Sequence, residues 1–154
     1  ERCIINSLTI PSQVTEICEI AFFWCVDLYQ IEFEENSNLK KIGSESFQYS
    51  SIEKILIPSS VVQICECAFS ECESLRCVSI PYDSKLQEIG SSAFYLTSIT
   101  CIFIPSTVKE ISKDAFDKCF HLKIIELGDN SQLKSEVFLE CYYITIIIMI
   151  PVAQ

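Results

Sequence analysis

The segment Ile57-Pro58-Ser59-Ser60-Val61-Val62-Gln63-Ile64-Cys65-Glu66-Cys67-Ala68-Phe69-Ser70-Glu71-Cys72-Glu73-Ser74-Leu75 is one copy of a pattern that runs the length of the chain. Its columns Val61, Ile64, Ala68, Phe69, Cys72 and Leu75 stand 47 residues after Val14, Ile17, Ala21, Phe22, Cys25 and Leu28, and 47 before Val108, Ile111, Ala115, Phe116, Cys119 and Leu122. A second form alternates with the first. In it Leu39, Ile42, Gly43, Ser46, Phe47 and Ile52 match Leu86, Ile89, Gly90, Ala93, Phe94 and Ile99, after a loop two residues longer. An apolar-x-apolar-Pro signature starts at Leu8, Ile55, Val78, Ile102 and Ile148, and Pro-less variants start at Ile31 and Ile125, so the steps are 23, 24, 23, 24, 23 and 23 residues.

A unit of about 23 residues cannot bury its own apolar face, so the coils must stack and share one continuous core. The chain therefore reads as a single solenoid over residues 1–154, with 1–7 the tail of a preceding repeat, repeats starting at 8, 31, 55, 78, 102 and 125, and a partial repeat from 148. The last full repeat is short between Leu133 and Phe138. Period-2 alternation before each Pro predicts a short strand with one apolar side facing in. Pro ends the strand because it has no N–H for the next ladder bond. Phe22, Phe47, Phe69, Phe94, Phe116 and Phe138 hold one position in successive coils and are expected to stack as a buried ladder.

The pattern I-P-S-x-V-x-x-I-x-x-x-A-F-x-x-C-x-x-L, as in Ile57 through Leu75, resembles the BspA-like leucine-rich repeats, found in surface proteins of bacteria and parasitic protozoa. The resemblance implies a right-handed superhelix with a parallel β-sheet on the concave face, and short turns and irregular or 3-10 segments on the convex face. It also implies adhesion to host cells, matrix or other microbes, with no family catalytic residues and no cofactor.

Composition narrows the function classes. Twenty-one acids against eleven bases give a net charge of −10, which argues against a nucleic-acid groove with its clustered Lys and Arg. Three Gly and one His leave little for a phosphate loop or His-based catalysis. Ten Cys suggest a disulfide scaffold, but their columns argue otherwise. Cys25, Cys72 and Cys119 share a column two coils apart, roughly 10 Å, too far to pair with one another. These three, with Cys18 and Cys65, read as small buried apolar residues, and at least six of the ten are expected to be reduced. Cys77 and Cys101 occupy one outward column on adjacent strands, where a bridge and two free thiols both remain open. The cluster Cys65-x-Cys67-x4-Cys72-x4-Cys77 invites a zinc reading, but Cys77 belongs to a strand and the others to the far side of the coil, so no metal site is expected. His121 near Cys119 lacks an orienting group and reads as a surface or packing residue. Glu34-Glu35 and Asp114/Asp117 read as solvated turn charges.

The outward face of the sheet is the candidate binding surface. One column holds Ser7, Gln30, Lys54, Cys77, Cys101, Ile124 and Ile147; the other holds Thr9, Glu32, Leu56, Ser79, Phe103, Glu126 and Met149. From these, Gln30, Glu32, Lys54, Leu56, Ser79, Phe103, Ile124 and Glu126 are the candidate ligand-binding residues, with Leu56, Phe103, Ile124 and Met149 as an exposed apolar patch. The expected function is a non-enzymatic protein-binding module of a secreted or cell-surface adhesin, its ligand a host or extracellular-matrix protein. The alternative is an intracellular scaffold or structural repeat protein of the cytoplasm, which unpaired Cys favours. No membrane span is expected, since no apolar run reaches 18 residues. The apolar run from Ile144 to Ile150 suggests a segment of a longer array or end-to-end self-association.

Overall fold

The computed structural model describes residues 3–112, 114–129, 133, 138 and 144–150. Among these, the main regular elements are short parallel strands, two in each of the first five coils. The longer strands are β1 (Ser7–Ile10), β3 (Gln30–Phe33), β5 (Lys54–Leu56), β7 (Cys77–Ser79), β9 (Cys101–Ile104), β11 (Ile124–Gly128) and β12 (Ile146–Ile150). Two-residue strands alternate with them: β2 (Glu16–Ile17), β4 (Lys41–Ile42), β6 (Gln63–Ile64), β8 (Glu88–Ile89) and β10 (Glu110–Ile111). The solenoid expected from the repeat is thus present. Its main sheet runs β1-β3-β5-β7 and continues as β9-β11-β12, and the minor strands form a second sheet β2-β4-β6-β8-β10. The ladder is interrupted between β7 and β9, which remain neighbours in the stack. Among the described residues no helix is long and apolar enough to cross a membrane.

Strand phase follows the alternation. Ile31, Ile55, Val78, Ile102 and Ile125 face in and are buried, while Glu32, Leu56 and Ser79 beside them are exposed. Register pairs Leu8 with Ile31, Ile55 with Val78, and Ile102 with Ile125, as the repeat starts require. The last strand departs from the count. Ile125 pairs with Ile147, not Ile148, so Ile146 stands beside Ile124 where Ile147 was expected, and Ile148 stands beside Glu126 where Met149 was expected. A run of Ile144-Thr145-Ile146-Ile147-Ile148-Met149 carries no polar alternation at its centre to fix the phase, so a one-residue slip leaves no mark in the sequence.

The third side of the coil is made of turns joined by coil-to-coil hydrogen bonds. The N–H groups of Ile20, Phe22 and Trp24 donate to the carbonyls of Ser44, Ser46 and Gln48 at 2.7–2.9 Å. Glu45, Phe47 and Tyr49 donate in the same way to Glu66, Ala68 and Ser70. The first and third of these donors have left-handed backbone, Ile20 (φ 60) and Trp24 (φ 56) in one coil, Glu45 (φ 54) and Tyr49 (φ 62) in the next. Such residues each carry roughly 1–2 kcal/mol of strain. The hydrogen bonds that this backbone aims at the next coil offset it. Gly43 is needed for a different reason: a Cβ there would stand 2.6 Å from the Ile17 carbonyl of the coil before.

Phe22, half-buried in the first coil, and the buried Phe47, Phe69, Phe94 and Phe116 stack at 5.2–5.4 Å between ring centroids with planes within 9° of parallel. Phe138 continues the ladder at 6.4 Å with a 35° tilt. Each stacked pair adds about 0.5–1.5 kcal/mol to the burial of its rings.

Two cysteines differ from expectation. Cys25 is not a free core thiol, because it is bonded to Cys3 in the coil before, at a Cα separation of 4.9 Å. Cys18 is exposed, although its column mate Cys65 is buried. Seven described cysteines are free, Cys77 and Cys101 among them, both exposed. The first two residues of the N-terminal tail, the short stretch between Leu133 and Phe138, and the chain after Ile150 lie outside the described residues.

Candidate functional site

Strands β3, β5 and β7 present their outward residues to a groove of about 650 Å³, closed on one side by the loop 34–37. Five of the eight candidate residues meet there: Gln30, Glu32, Lys54, Leu56 and Ser79. Their convergence comes from register, since Gln30 pairs with Lys54 and Leu56 with Ser79. Phe103, Ile124 and Glu126 lie outside the groove, on β9 and β11, and are half-buried. The expected apolar patch is therefore narrower than the alternation suggests. Leu56 is 61% exposed, but Met149 pairs with the buried Leu127 and so leaves the outward column, and Phe103 packs against Tyr82 with ring centroids 4.6 Å apart.

Tyr82, 75% exposed, is a surface residue that strand alternation misses because it lies past the strand. A signal was present nonetheless. The residue after the strand-ending Pro is Ser12, Ser59 and Ser106 in three other repeats, and Tyr82 breaks that column. Glu34 and Glu35, turn charges by sequence, both line the groove. They replace the Pro58-Ser59 step of the next coil. Glu34 Oε2 accepts from the Ser12 N–H at 2.9 Å, which ties the loop to the coil before. Gln30 Nε2 donates to Glu32 Oε1 at 2.8 Å, so the carboxylate is held on the sheet face. The groove thus offers three carboxylates, one ammonium from Lys54 and the bare side chain of Leu56.

A second cluster lies on the turn side, with Trp24 exposed and Phe23 and Tyr49 half-buried, and sequence reasoning misses it too. Phe23 meets Trp24 and Tyr49 edge-on, with centroids 6.2 and 5.7 Å away, and Trp24 is 64% exposed. A hydrogen bond to Glu71 raises the Tyr49 hydroxyl above its ordinary pKa. Trp24 and Tyr49 sit on left-handed backbone that no glycine announces, so nothing in the sequence placed them on the surface.

The buried thiols are held protonated at neutral pH. Burial lifts Cys72 and Cys119 to about 11, only partly offset by Ser50 and Thr97. Cys72 Sγ donates to the Phe47 carbonyl and Cys119 Sγ to the Phe94 carbonyl, both at 3.0 Å. Burial also raises Cys65 and Cys67. A nucleophilic cysteine needs the opposite shift. Cys77 sits on β7, Cys65 just after β6, and Cys67 and Cys72 on the turn side, so these four do not converge as zinc ligands. Among the described residues no three His, Cys, Asp or Glu side chains are grouped to hold a metal ion.

Comparison with known proteins gives the same architecture. The family model for the BspA type leucine rich repeat region matches six copies, over residues 1–123 and 40–153. A leucine rich cell surface protein from Faecalibacterium prausnitzii is 28% identical with a TM-score of 0.60, over 83% of this chain and 40% of its own. The leucine rich repeat protein of T. pallidum is 25% identical with a TM-score of 0.78, over 96% and 71%. The pneumococcal vaccine antigen PcpA, 21% identical, shares the fold with a TM-score of 0.55, over 95% and 51%. This chain thus spans less than half of the first of these proteins and about half of the last. No curated protein matches the chain.

Proposed function

Because the chain belongs to the BspA-type leucine-rich repeat family, we propose that it is a non-enzymatic module of a cell-surface adhesin, binding a host or extracellular-matrix protein through the outward face of its main sheet. The observation that carries this reading is the groove over β3, β5 and β7, where five candidate residues, the exposed Leu56 among them, share one open face. A surface location draws support from the Faecalibacterium relative, described as a cell surface protein. The Cys3–Cys25 bond adds to it, because structural disulfides persist in oxidising compartments. Seven free thiols among the described residues favour the second reading, a cytoplasmic scaffold. Biotinylation of intact cells separates the two: labelling of the complete protein is expected, and full protection from the reagent contradicts a surface role. For the binding face, the test is solid-phase binding to a panel of purified matrix proteins. Leu56→Asp should abolish binding and Trp24→Asp on the turn side should leave it intact; the reverse pattern contradicts the assignment.

A further inference from the structure

Resting on that reading of the sheet face, we infer that the ligand is an extended peptide segment with two basic side chains flanking two apolar ones. It crosses the strands along the column Glu32-Leu56-Ser79-Phe103-Glu126. The column is fixed by register: Leu56 pairs with Ser79 and Phe103 with Glu126, while Glu32 follows from the Gln30 pairing with Lys54. Strands β7 and β9, which bring Ser79 beside Phe103, are neighbours in the stack. Read across the sheet, the side chains are acid, apolar, small polar, apolar, acid.

Three physical arguments select the occupant. First, β3, β5 and β11 each have a paired strand on both sides and β7 and β9 stand next to each other in the stack, so a ligand cannot enter this column as an added strand and must be read by side chains. Second, the spacing fits an extended chain. Four interstrand steps of about 4.8 Å carry Glu32 to Glu126 over roughly 19 Å, and six extended residues at about 3.3 Å each cover roughly 20 Å. Alternate ligand residues face the sheet. A basic residue at the first ligand position therefore meets Glu32, apolar residues at the third and fifth meet Leu56 and the Phe103-Tyr82 pair, and a basic residue at the seventh meets Glu126. Third, the charge is complementary: the chain carries −10, and carboxylates stand at both ends of this column. The same charge disfavours a second copy of this chain as the occupant. Lys54 lies two residues back along β5, about 6.6 Å off the line, and does not interrupt it.

The test uses three fluorescein-labelled nine-residue peptides and the intact chain, read by anisotropy at two salt concentrations, one low and one near physiological. The first peptide has lysine at its first and seventh positions, leucine at its third, phenylalanine at its fifth and serine elsewhere. In the second both lysines are glutamate; in the third the leucine and phenylalanine are serine. The lysine-flanked apolar peptide should bind about tenfold more tightly than either control, a difference worth about 1.4 kcal/mol. The preference over the glutamate peptide should narrow at the higher salt. Glu32→Gln and Glu126→Gln should each weaken binding severalfold, and together should remove the preference over the glutamate peptide. Glu45→Gln with Glu66→Gln on the turn side changes the net charge equally and should leave binding unchanged. Circular dichroism verifies that each variant is folded. Equal binding of the three peptides, absence of binding, or a preference that survives the Glu32/Glu126 double substitution overturns the inference. Leu56-dependent binding of a matrix protein combined with any of those results overturns the peptide chemistry alone and leaves the binding face standing.

Discussion

Ser46 shows how much one side chain weighs in a stacked core. It occupies the column of Ala68, Ala93 and Ala115, is fully buried, and its hydroxyl has no hydrogen-bond partner. An unsatisfied buried hydroxyl costs about 1–3 kcal/mol. Ser46→Ala should therefore stabilise the chain by about 1 kcal/mol, or about 2–4 °C in Tm, measured by thermal melting; a lower Tm contradicts the reading. The repeat makes the column visible, but not whether its one hydroxyl finds an acceptor. The partner of Cys25 is hidden in a similar way. The 47-residue period places Cys3, Ser50 and Thr97 in one column, each 22 residues before Cys25, Cys72 and Cys119. Comparing Cys25 only with its own column overlooks the thiol one coil away.

At the scale of elements, that equivalence gives a direct expectation. Ser50 Oγ and Thr97 Oγ1 each lie 3.3 Å from the thiol sulfurs of Cys72 and Cys119, where Cys3 is bonded to Cys25. Under mild oxidation, Ser50→Cys should form a new bridge to Cys72, and Thr97→Cys one to Cys119. Peptide mapping by mass spectrometry checks this. Free thiols at both positions after oxidation would show that the coils are not stacked in this register. The main strands were legible because alternation and Pro mark them; β12 was legible as a strand but not in phase, since consecutive Ile residues carry no period. The turn side was the least legible. Its left-handed positions carry Ile20, Trp24, Tyr49 and Leu96, where no Gly or Asn stands to mark them.

For the whole molecule, the buried thiols set a limit on alkaline stability. Cys72 and Cys119 ionise near 9.0 when unfolded and at about 11 when folded. Between those values the unfolded chain gives up protons that the folded chain keeps. Their contribution is present in full below the unfolded value and is lost as pH rises through the folded one, at roughly 2–3 kcal/mol for each thiol. Urea unfolding under reductant, compared at a pH about one unit below the unfolded value and again between the two values, should show this loss. Cys72→Ala with Cys119→Ala should reduce it; an equal loss in the variant contradicts the linkage.

Fold and site differ in how far they could be read, and the difference is physical. Core columns repeat because every coil meets the same neighbours, whereas the outward residues vary from coil to coil. Alternation placed Gln30, Glu32, Lys54, Leu56 and Ser79 on the face, but the groove's wall comes from a loop and the ring against Phe103 from Tyr82, neither of which obeys a period of two. The claim that this face receives the ligand is tested most directly by side-chain NMR of the isotope-labelled chain titrated with the lysine-flanked apolar peptide. The account predicts that the Leu56 methyls and the Tyr82 and Phe103 rings shift while the Ile20 methyls and the Trp24 indole stay in place. Shifts confined to Ile20, Trp24 and Tyr49 would contradict it and move the binding surface to the turn side.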